Sequence, residues 1–63
     1  MDIGKKLKEL RIQKDLTQED LADRTELSKG FISQLENNNT SPSISTLTDI
    51  LQSLGTDLAY FFS

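Results

Sequence analysis

The chain has 63 residues and a formal net charge of −3, from 7 lysines and arginines against 10 aspartates and glutamates. This length makes one domain with a single small core. The absence of Cys and His excludes disulfides, zinc sites built from thiolates or imidazoles, and catalysis by a Cys nucleophile or a His base.

The first predicted helix runs from about Ile3 to Lys14, because Ile3, Leu7 and Leu10 recur at the spacing of one helix face. This helix is expected to end at Asp15. Most of the cations of the chain belong to this segment, namely Lys5, Lys6, Lys8, Arg11 and Lys14. A nucleic-acid binder is usually basic, so a DNA-binding role for this acidic chain would require many phosphate contacts from uncharged donors.

Two further helices are predicted to open with the same device. Thr17 and Ser28 are good N-caps, each preceded by a leucine and followed four residues later by an apolar residue, Leu21 or Ile32. This pattern is a hydrophobic staple around a cap. The spacing between the caps leaves about two helical turns and a tight connection, which is typical of a helix-turn-helix that reads the DNA major groove.

Three carboxylates lie near the start of the second helix, on Glu19, Asp20 and Asp23. Asp20 stands three residues after Thr17 and forms an imperfect capping box, since a longer Glu or Gln reaches back better. A metal or acid–base cluster is the other interpretation of the three. Without a His or a second kind of ligand, we expect a solvated helix face instead.

The third helix has one apolar and one polar face. Ile32 and Leu35 point to the core on a helical wheel. The opposite face carries side chains suited to contacts with base edges, namely Lys29, Gly30, Ser33, Gln34 and Asn37.

Two flanking residues of this helix need separate explanations. Phe31 either completes the core or touches a thymine methyl group, and the sequence favours neither. Glu36 lies on the other flank, where a lone carboxylate needs a partner. Arg11 is the predicted partner, in a scaffold ion pair that joins the first and third helices.

The remainder of the chain predicts two more helices. The third helix should end near Asn37, with Asn38 in a left-handed conformation and a polar loop up to Pro42. Ser43 is expected to cap a fourth helix that ends before Gly55. Its apolar residues are Leu47, Ile50, Leu51 and Leu54, and a final short helix capped by Thr56 carries Leu58, Tyr60, Phe61 and Phe62. The expected fold is all-α, with five short helices.

This chain resembles the Xre or Cro/C1-type helix-turn-helix domain of bacterial and phage repressors, which has a lambda-repressor-like fold. The resemblance covers nearly the whole length. The matching segments are Ile3-Gly4, Leu7 with Arg11, Leu16-Thr17-Gln18, Leu21-Ala22, the run SKGFISQLE from Ser28 to Glu36, Ser41-Pro42-Ser43 and Leu47 through Gly55.

The resemblance implies roles for individual residues. Base-facing positions of the recognition helix correspond to Lys29, Gly30, Ser33 and Gln34. Contacts to the DNA backbone correspond to Gln18 at the start of the second helix, Ser28, and the loop residues Asn37, Asn39 and Thr40. Arg11 and Glu36 match an internal ion pair of the family. The chain departs from the family at Glu26, where many members have Gly, and at Asn39, where a Lys or Arg is common.

We therefore expect residues 1–63 to be one DNA-binding domain of a sequence-specific transcription regulator, more often a repressor, without cofactor or metal. Recognition would use a homodimer on a pseudo-palindrome, with Tyr60, Phe61 and Phe62 as its surface unless these aromatics close the core or pack on a further domain. The SKGFISQLE run is most similar to regulators with a C-terminal cupin sensor barrel, so the domain could belong to a longer protein.

The sequence leaves two other functions to compare with DNA binding. A protein-interaction module on the same fold would use the acidic second helix and the terminal aromatics. An enzyme is disfavoured because the chain has no nucleophile–base pair or metal constellation. The apolar run Leu58 to Phe62 is too short to cross a membrane and Met1 begins a charged segment, so a soluble cytoplasmic protein is expected.

Overall fold

A computed structural model describes all residues from 1 to 63. The predicted all-α fold is confirmed, with five helices and no strand. No helix has the length and hydropathy needed to span a membrane. The helices are α1 (Ile3–Gln13), α2 (Gln18–Thr25), α3 (Lys29–Glu36), α4 (Ile44–Ser53) and α5 (Leu58–Phe61).

Each helix starts after a side chain that accepts a hydrogen bond from the backbone N–H three residues later. The caps are Asp2, Thr17, Ser28, Ser43 and Asp57. At α2 the capping box is complete, because Thr17 Oγ1 accepts from Asp20 N at 3.0 Å and Asp20 Oδ2 accepts from Thr17 N at 2.9 Å. The shorter Asp therefore completes the box.

The cap of α5 was predicted one residue too early. Asp57 caps this helix, with its Oδ1 accepting from Tyr60 N at 2.9 Å. Thr56 belongs instead to the turn that ends α4, where its N–H donates to Leu51 O at 2.9 Å. Gly55 in the same turn has φ +75°, in the left-handed region.

The first four helices all end in the same way, in a Schellman motif. In each, a left-handed residue donates its N–H to the carbonyl three positions earlier, as in Asp15 to Ile12 at 2.9 Å. The next residue donates to the carbonyl five positions before itself, as in Leu16 to Arg11 at 3.1 Å. The left-handed residues are Asp15 (φ 58°), Glu26 (φ 58°), Asn38 (φ 60°) and Gly55. The predictions for Asp15, Asn38 and Gly55 are confirmed, and Glu26 has the conformation that glycine adopts most easily.

The core lies where these helices meet. It contains 11 buried apolar side chains: Leu7, Leu10, Leu21, Ala22, Ile32, Leu35, Leu47, Ile50, Leu51, Leu54 and Phe61. Phe31 is half-buried and packs against this cluster, which answers the open question about this residue in favour of the core.

The terminal aromatics divide between core and surface. Phe61 is fully buried, so its expected part in a dimer surface is wrong: the hydrophobic gain of filling the core holds it inside. Tyr60 and Phe62 stay 63% and 47% exposed. Phe62 packs edge-on against the Phe61 ring at 5.1 Å, and the Lys6 ammonium lies 5.1 Å from the centre of the same ring.

A close contact joins the first turn of α1 to the end of α3. A Cβ on Gly4 would lie 2.4 Å from Leu35 O and 2.7 Å from Glu36 O, so only glycine allows this approach. Asn38 Oδ1 accepts from Gly4 N at 3.1 Å, and Asn38 Nδ2 donates to Asp2 Oδ1 at 2.7 Å. The position of α3 is thus fixed at its C-terminal end by the start of the chain.

Candidate nucleic-acid interface

The outer face of α3 is accessible. Lys29, Gly30 and Gln34 are exposed and Ser33 is half-buried, while Ile32 and Leu35 on the opposite face are buried. No atom lies within 4 Å of the position that a Cβ on Gly30 would take. The structure therefore brings the four expected base-facing residues to one accessible surface.

Two residues of this face are bonded to each other. Asn37 Nδ2 donates to Ser33 O at 3.0 Å and lies 3.4 Å from Ser33 Oγ. Asn37 Oδ1 and the Ser33 hydroxyl hydrogen stay available to a ligand, because both groups have further bonding capacity. The bond orders the last turn of the face, which the sequence pattern did not indicate.

A buried hydrogen-bond network lies behind this face. Glu36 accepts from Arg11 Nε at 2.7 Å, from Arg11 Nη2 at 3.0 Å and from Gln18 Nε2 at 3.1 Å. Arg11 Nη1 also donates to Leu16 O at 2.7 Å. The Arg11 and Glu36 side chains are 10% and 3% exposed, so this ion pair is deeply placed and almost fully satisfied.

Gln18 belongs to this buried network, which the sequence did not indicate. This half-buried residue was expected only as a contact to DNA phosphate, but its amide is already held by Glu36. One amide hydrogen and Oε1 remain free. Gln18 is therefore held in place before any ligand arrives, at the beginning of α2.

The expected backbone-contact residues have donors to offer. Ser28 Oγ accepts from Phe31 N at 3.1 Å, which leaves its hydroxyl hydrogen free to donate. Asn39 is exposed and carries an amide donor, and Thr40 is half-buried and carries a hydroxyl donor. The first N–H groups of α3 have no helical partner, which suits an anion.

Two carboxylates at helix starts, Asp20 in α2 and Asp2 before α1, have lowered pKa values. The pKa of Asp20 is held below its ordinary value, first by the hydrogen bond from the Thr17 backbone and then by the Thr17 hydroxyl. The pKa of Asp2 is also lowered, mainly by the Asn38 amide and next by the Lys5 backbone N–H. Both carboxylates are stabilised in the charged form by hydrogen bonds, which come from the capping box for Asp20 and from Asn38 together with the α1 cap for Asp2.

The acidic residues of α2 do not converge. No group of three or more Asp and Glu side chains is arranged to hold a metal ion. Glu19, Asp20 and Asp23 are all exposed, as expected for a solvated face.

The sequence did not predict the close approach of Gly4 to α3 or the bond from Gln18 to Glu36. The Ile3-Gly4 start was noted only as a resemblance, although a glycine in the first turn of an amphipathic helix indicates a close approach of another backbone. No local pattern could have indicated the bond from Gln18 to Glu36, because it joins residues 18 positions apart.

Comparisons with known proteins agree with this geometry. The model of a helix-turn-helix family, HTH_3, matches residues 7–61. The transcriptional regulator PuuR of Escherichia coli is 42% identical over 60 residues, which are 95% of this chain and 32% of PuuR. The immunity repressor of Bacillus phage phi105 is 34% identical over 55 residues, covering 87% of this chain and 38% of the repressor.

A solved structure shows the same fold. The restriction-modification controller protein C.Esp1396I superposes with a TM-score of 0.88 at 33% identity, over 97% of this chain and 79% of the controller chain. The chain thus spans about a third of the length of the two curated relatives and most of that of the solved controller.

Proposed function

This chain belongs to the HTH_3 helix-turn-helix family, and from this membership we propose that it is a sequence-specific DNA-binding regulator of transcription that acts as a repressor. One observation carries the proposal: the outer face of α3 is polar and accessible, while its other face is buried in the core. This is the arrangement that a recognition helix needs to enter the major groove.

In the proposed complex, Lys29, Gly30, Ser33 and Gln34 face base edges. Gln34 can pair with N6 and N7 of adenine, and Lys29 with O6 and N7 of guanine. The absence of a Cβ at Gly30 lets the helix backbone approach closely. Contacts to the phosphate backbone would come from Gln18, Ser28, Asn37, Asn39 and Thr40.

The proposed recognition unit is a homodimer on an inverted repeat, with half-sites about 34 Å apart. Tyr60 and Phe62 supply the exposed apolar surface for the partner. Because the curated relatives are about three times as long, we further propose that the domain is the N-terminal part of a longer regulator, with a sensor domain such as a cupin barrel after it. A regulator of this class would act in the cytoplasm.

The proposal is tested by selecting from a random DNA library at low salt and then titrating the best sequence against scrambled DNA. Enrichment of an inverted repeat is the expected result. If neither the chain nor a version fused to a dimeriser enriches any sequence while circular dichroism shows it folded, the DNA-binding proposal is overturned in favour of a protein-interaction module.

Two variants separate the proposed roles. Gln34→Ala is expected to cost about 1–3 kcal/mol on the selected sequence and to relax preference at one base pair, because a base contact is lost. Gln18→Ala is expected to weaken binding to all sequences alike, since a phosphate contact carries no sequence information. Titration of both variants on selected and scrambled DNA measures this, and equal losses on the two DNAs for Gln34→Ala would contradict its assignment.

A further inference from the structure

We infer that Lys5 and Lys8 on α1 form a second phosphate-binding site, which supplies the cationic contacts that the loop after α3 lacks. The inference rests on the proposed function, since its ligand is the phosphate backbone of the same DNA. Asn37, Asn39 and Thr40, which are proposed to contact the DNA backbone, are all uncharged. Affinity for duplex DNA depends strongly on cations placed near phosphates.

α1 lies directly against α3. The two helices touch where Gly4 meets the carbonyls of Leu35 and Glu36 and where Arg11 bonds Glu36. On α1, Gly4 and Arg11 lie within about 20° of each other around the helix axis. Packed helices have axes only about 8–10 Å apart, so the neighbouring surface of α1 lies beside α3.

Lys8 lies on the side of the α1–α3 contact that faces away from the core. On α3 the order from core to outer face is Ile32, Glu36, Ser33. On α1 the core side is marked by Leu7, about 60° from Gly4, and Lys8 lies about 40° from Gly4 in the other direction. Lys8 therefore lies on the same side of the molecule as Ser33.

Lys5 lies further round the same side of α1, about 100° from Gly4. It stands next to the Asp2 cap, whose carboxylate is bonded to Asn38 at the end of α3. That carboxylate offsets part of the Lys5 charge, so Lys8 is the stronger contact of the two. Both lysines are exposed, and neither is in the one ion pair of the molecule, between Arg11 and Glu36.

The other two lysines of this segment, Lys6 in α1 and Lys14 directly after it, lie against other parts of the molecule. The Lys6 ammonium donates to Phe61 O and lies over the Phe61 ring, on the side of α5. Lys14 Nζ lies near Gly55, 3.9 Å from the position of an added Cβ. Lys14 is exposed and carries the same charge as Lys8, which makes it the matched control.

The test measures how the dissociation constant of the selected DNA depends on salt for the unmodified chain, Lys8→Ala, Lys5→Ala/Lys8→Ala, Lys8→Arg and Lys14→Ala. Each lost phosphate contact should reduce the slope of log K against log salt by about 0.9 per bound copy. We expect that reduction for Lys8→Ala, a larger one for the double variant, and the original slope for Lys8→Arg and Lys14→Ala. The losses should be equal on selected and scrambled DNA.

Two results would overturn the inference and leave the proposed function intact. One is an unchanged slope in the double variant while the unmodified chain binds its selected sequence. The other is an equal reduction in Lys14→Ala, which would indicate an effect of net charge without a contact. Failure of the unmodified chain to bind any DNA would overturn the proposed function itself, and the inference with it. Circular dichroism of each variant controls for folding.

Discussion

Glu26 is the residue whose backbone fits its side chain least well. Its φ of 58° is the left-handed conformation, which costs about 1 kcal/mol or more for a residue with a Cβ. Glu26→Gly should raise the free energy of unfolding by about 0.5–1 kcal/mol, after allowance for the greater freedom of glycine in the unfolded chain. Urea unfolding monitored by circular dichroism measures the change.

The matched control is Asn38→Gly, at a position with nearly the same φ of 60°. Here the side chain bonds Gly4 N and Asp2 Oδ1, so its removal should lower the free energy of unfolding by about 1 kcal/mol. If Asn38→Gly stabilised the chain as much as Glu26→Gly, these two bonds would contribute nothing to stability.

Residue types alone indicated much of this local structure. Asn38 was predicted to be left-handed because Asn tolerates that conformation at a helix end. Its bonds were not predicted, because its partners lie 34 and 36 positions earlier in the chain. A pattern read over a short window has no access to such pairs.

Among the contacts between helices, the α1–α3 contact is the one most sensitive to a single atom. Gly4→Ala would place a Cβ 2.4 Å from Leu35 O and 2.7 Å from Asn38 Oδ1. The helices must then separate, and the free energy of unfolding should fall by about 1–3 kcal/mol. Thermal and urea unfolding measure the loss.

Gly30→Ala provides the comparison, because an added Cβ there meets nothing within 4 Å. This variant should be as stable as the original or more stable by about 0.5–1 kcal/mol, since alanine favours helix over glycine. Its affinity for DNA should nevertheless fall if the backbone of α3 approaches the bases. A loss of stability in Gly30→Ala equal to that in Gly4→Ala would contradict the assigned packing.

Helix boundaries followed closely from caps and apolar spacing. The starts of α2, α3 and α4 agree with the predicted caps Thr17, Ser28 and Ser43. The start of α5 did not, because Thr56 and Asp57 are both good caps and only the turn that ends α4 distinguishes them. Local propensity could not decide between two adjacent residues of similar capping strength.

At the scale of the whole molecule, two hydrogen-bonded carboxylates at helix starts make the free energy of unfolding depend on pH. Asp2 and Asp20 have lowered pKa values in the folded chain, so their contribution is fully present above the ordinary value of 3.8 and is lost as the pH falls through the folded values. The variant Asp2→Asn/Asp20→Asn should therefore lose less stability than the original chain between about pH 4 and pH 2. Urea unfolding at a series of pH values measures this.

Asp49→Asn is the control for this experiment, since Asp49 is exposed and forms no ion pair. It should keep the acid sensitivity of the original chain. An unchanged acid sensitivity in the double variant would show that the cap hydrogen bonds do not couple to folding.

The residues of the candidate interface could be predicted from the sequence, but the contacts that hold them in place could not. The polar face of α3 followed from helical periodicity, because one helix presents its own residues at a fixed angle. The bond from Gln18 to Glu36 depends on how α2 packs against α3, and the burial of Phe61 depends on how α5 folds back onto the core. Both arise from tertiary packing, which no single segment specifies.

The bonds between Asp2, Gly4 and Asn38 have a practical consequence for handling the protein. They bring the first residues of the chain next to the turn that follows α3, at the edge of the proposed DNA surface. An affinity tag, fluorophore or immobilisation linker attached ahead of Asp2 would therefore compete with the duplex for space. The Phe61 carbonyl oxygen accepts from Lys6, on the side of α1 away from Gly4, so a label at the C-terminal end stays clear of the duplex and needs a flexible linker to clear the proposed dimer surface of Tyr60 and Phe62.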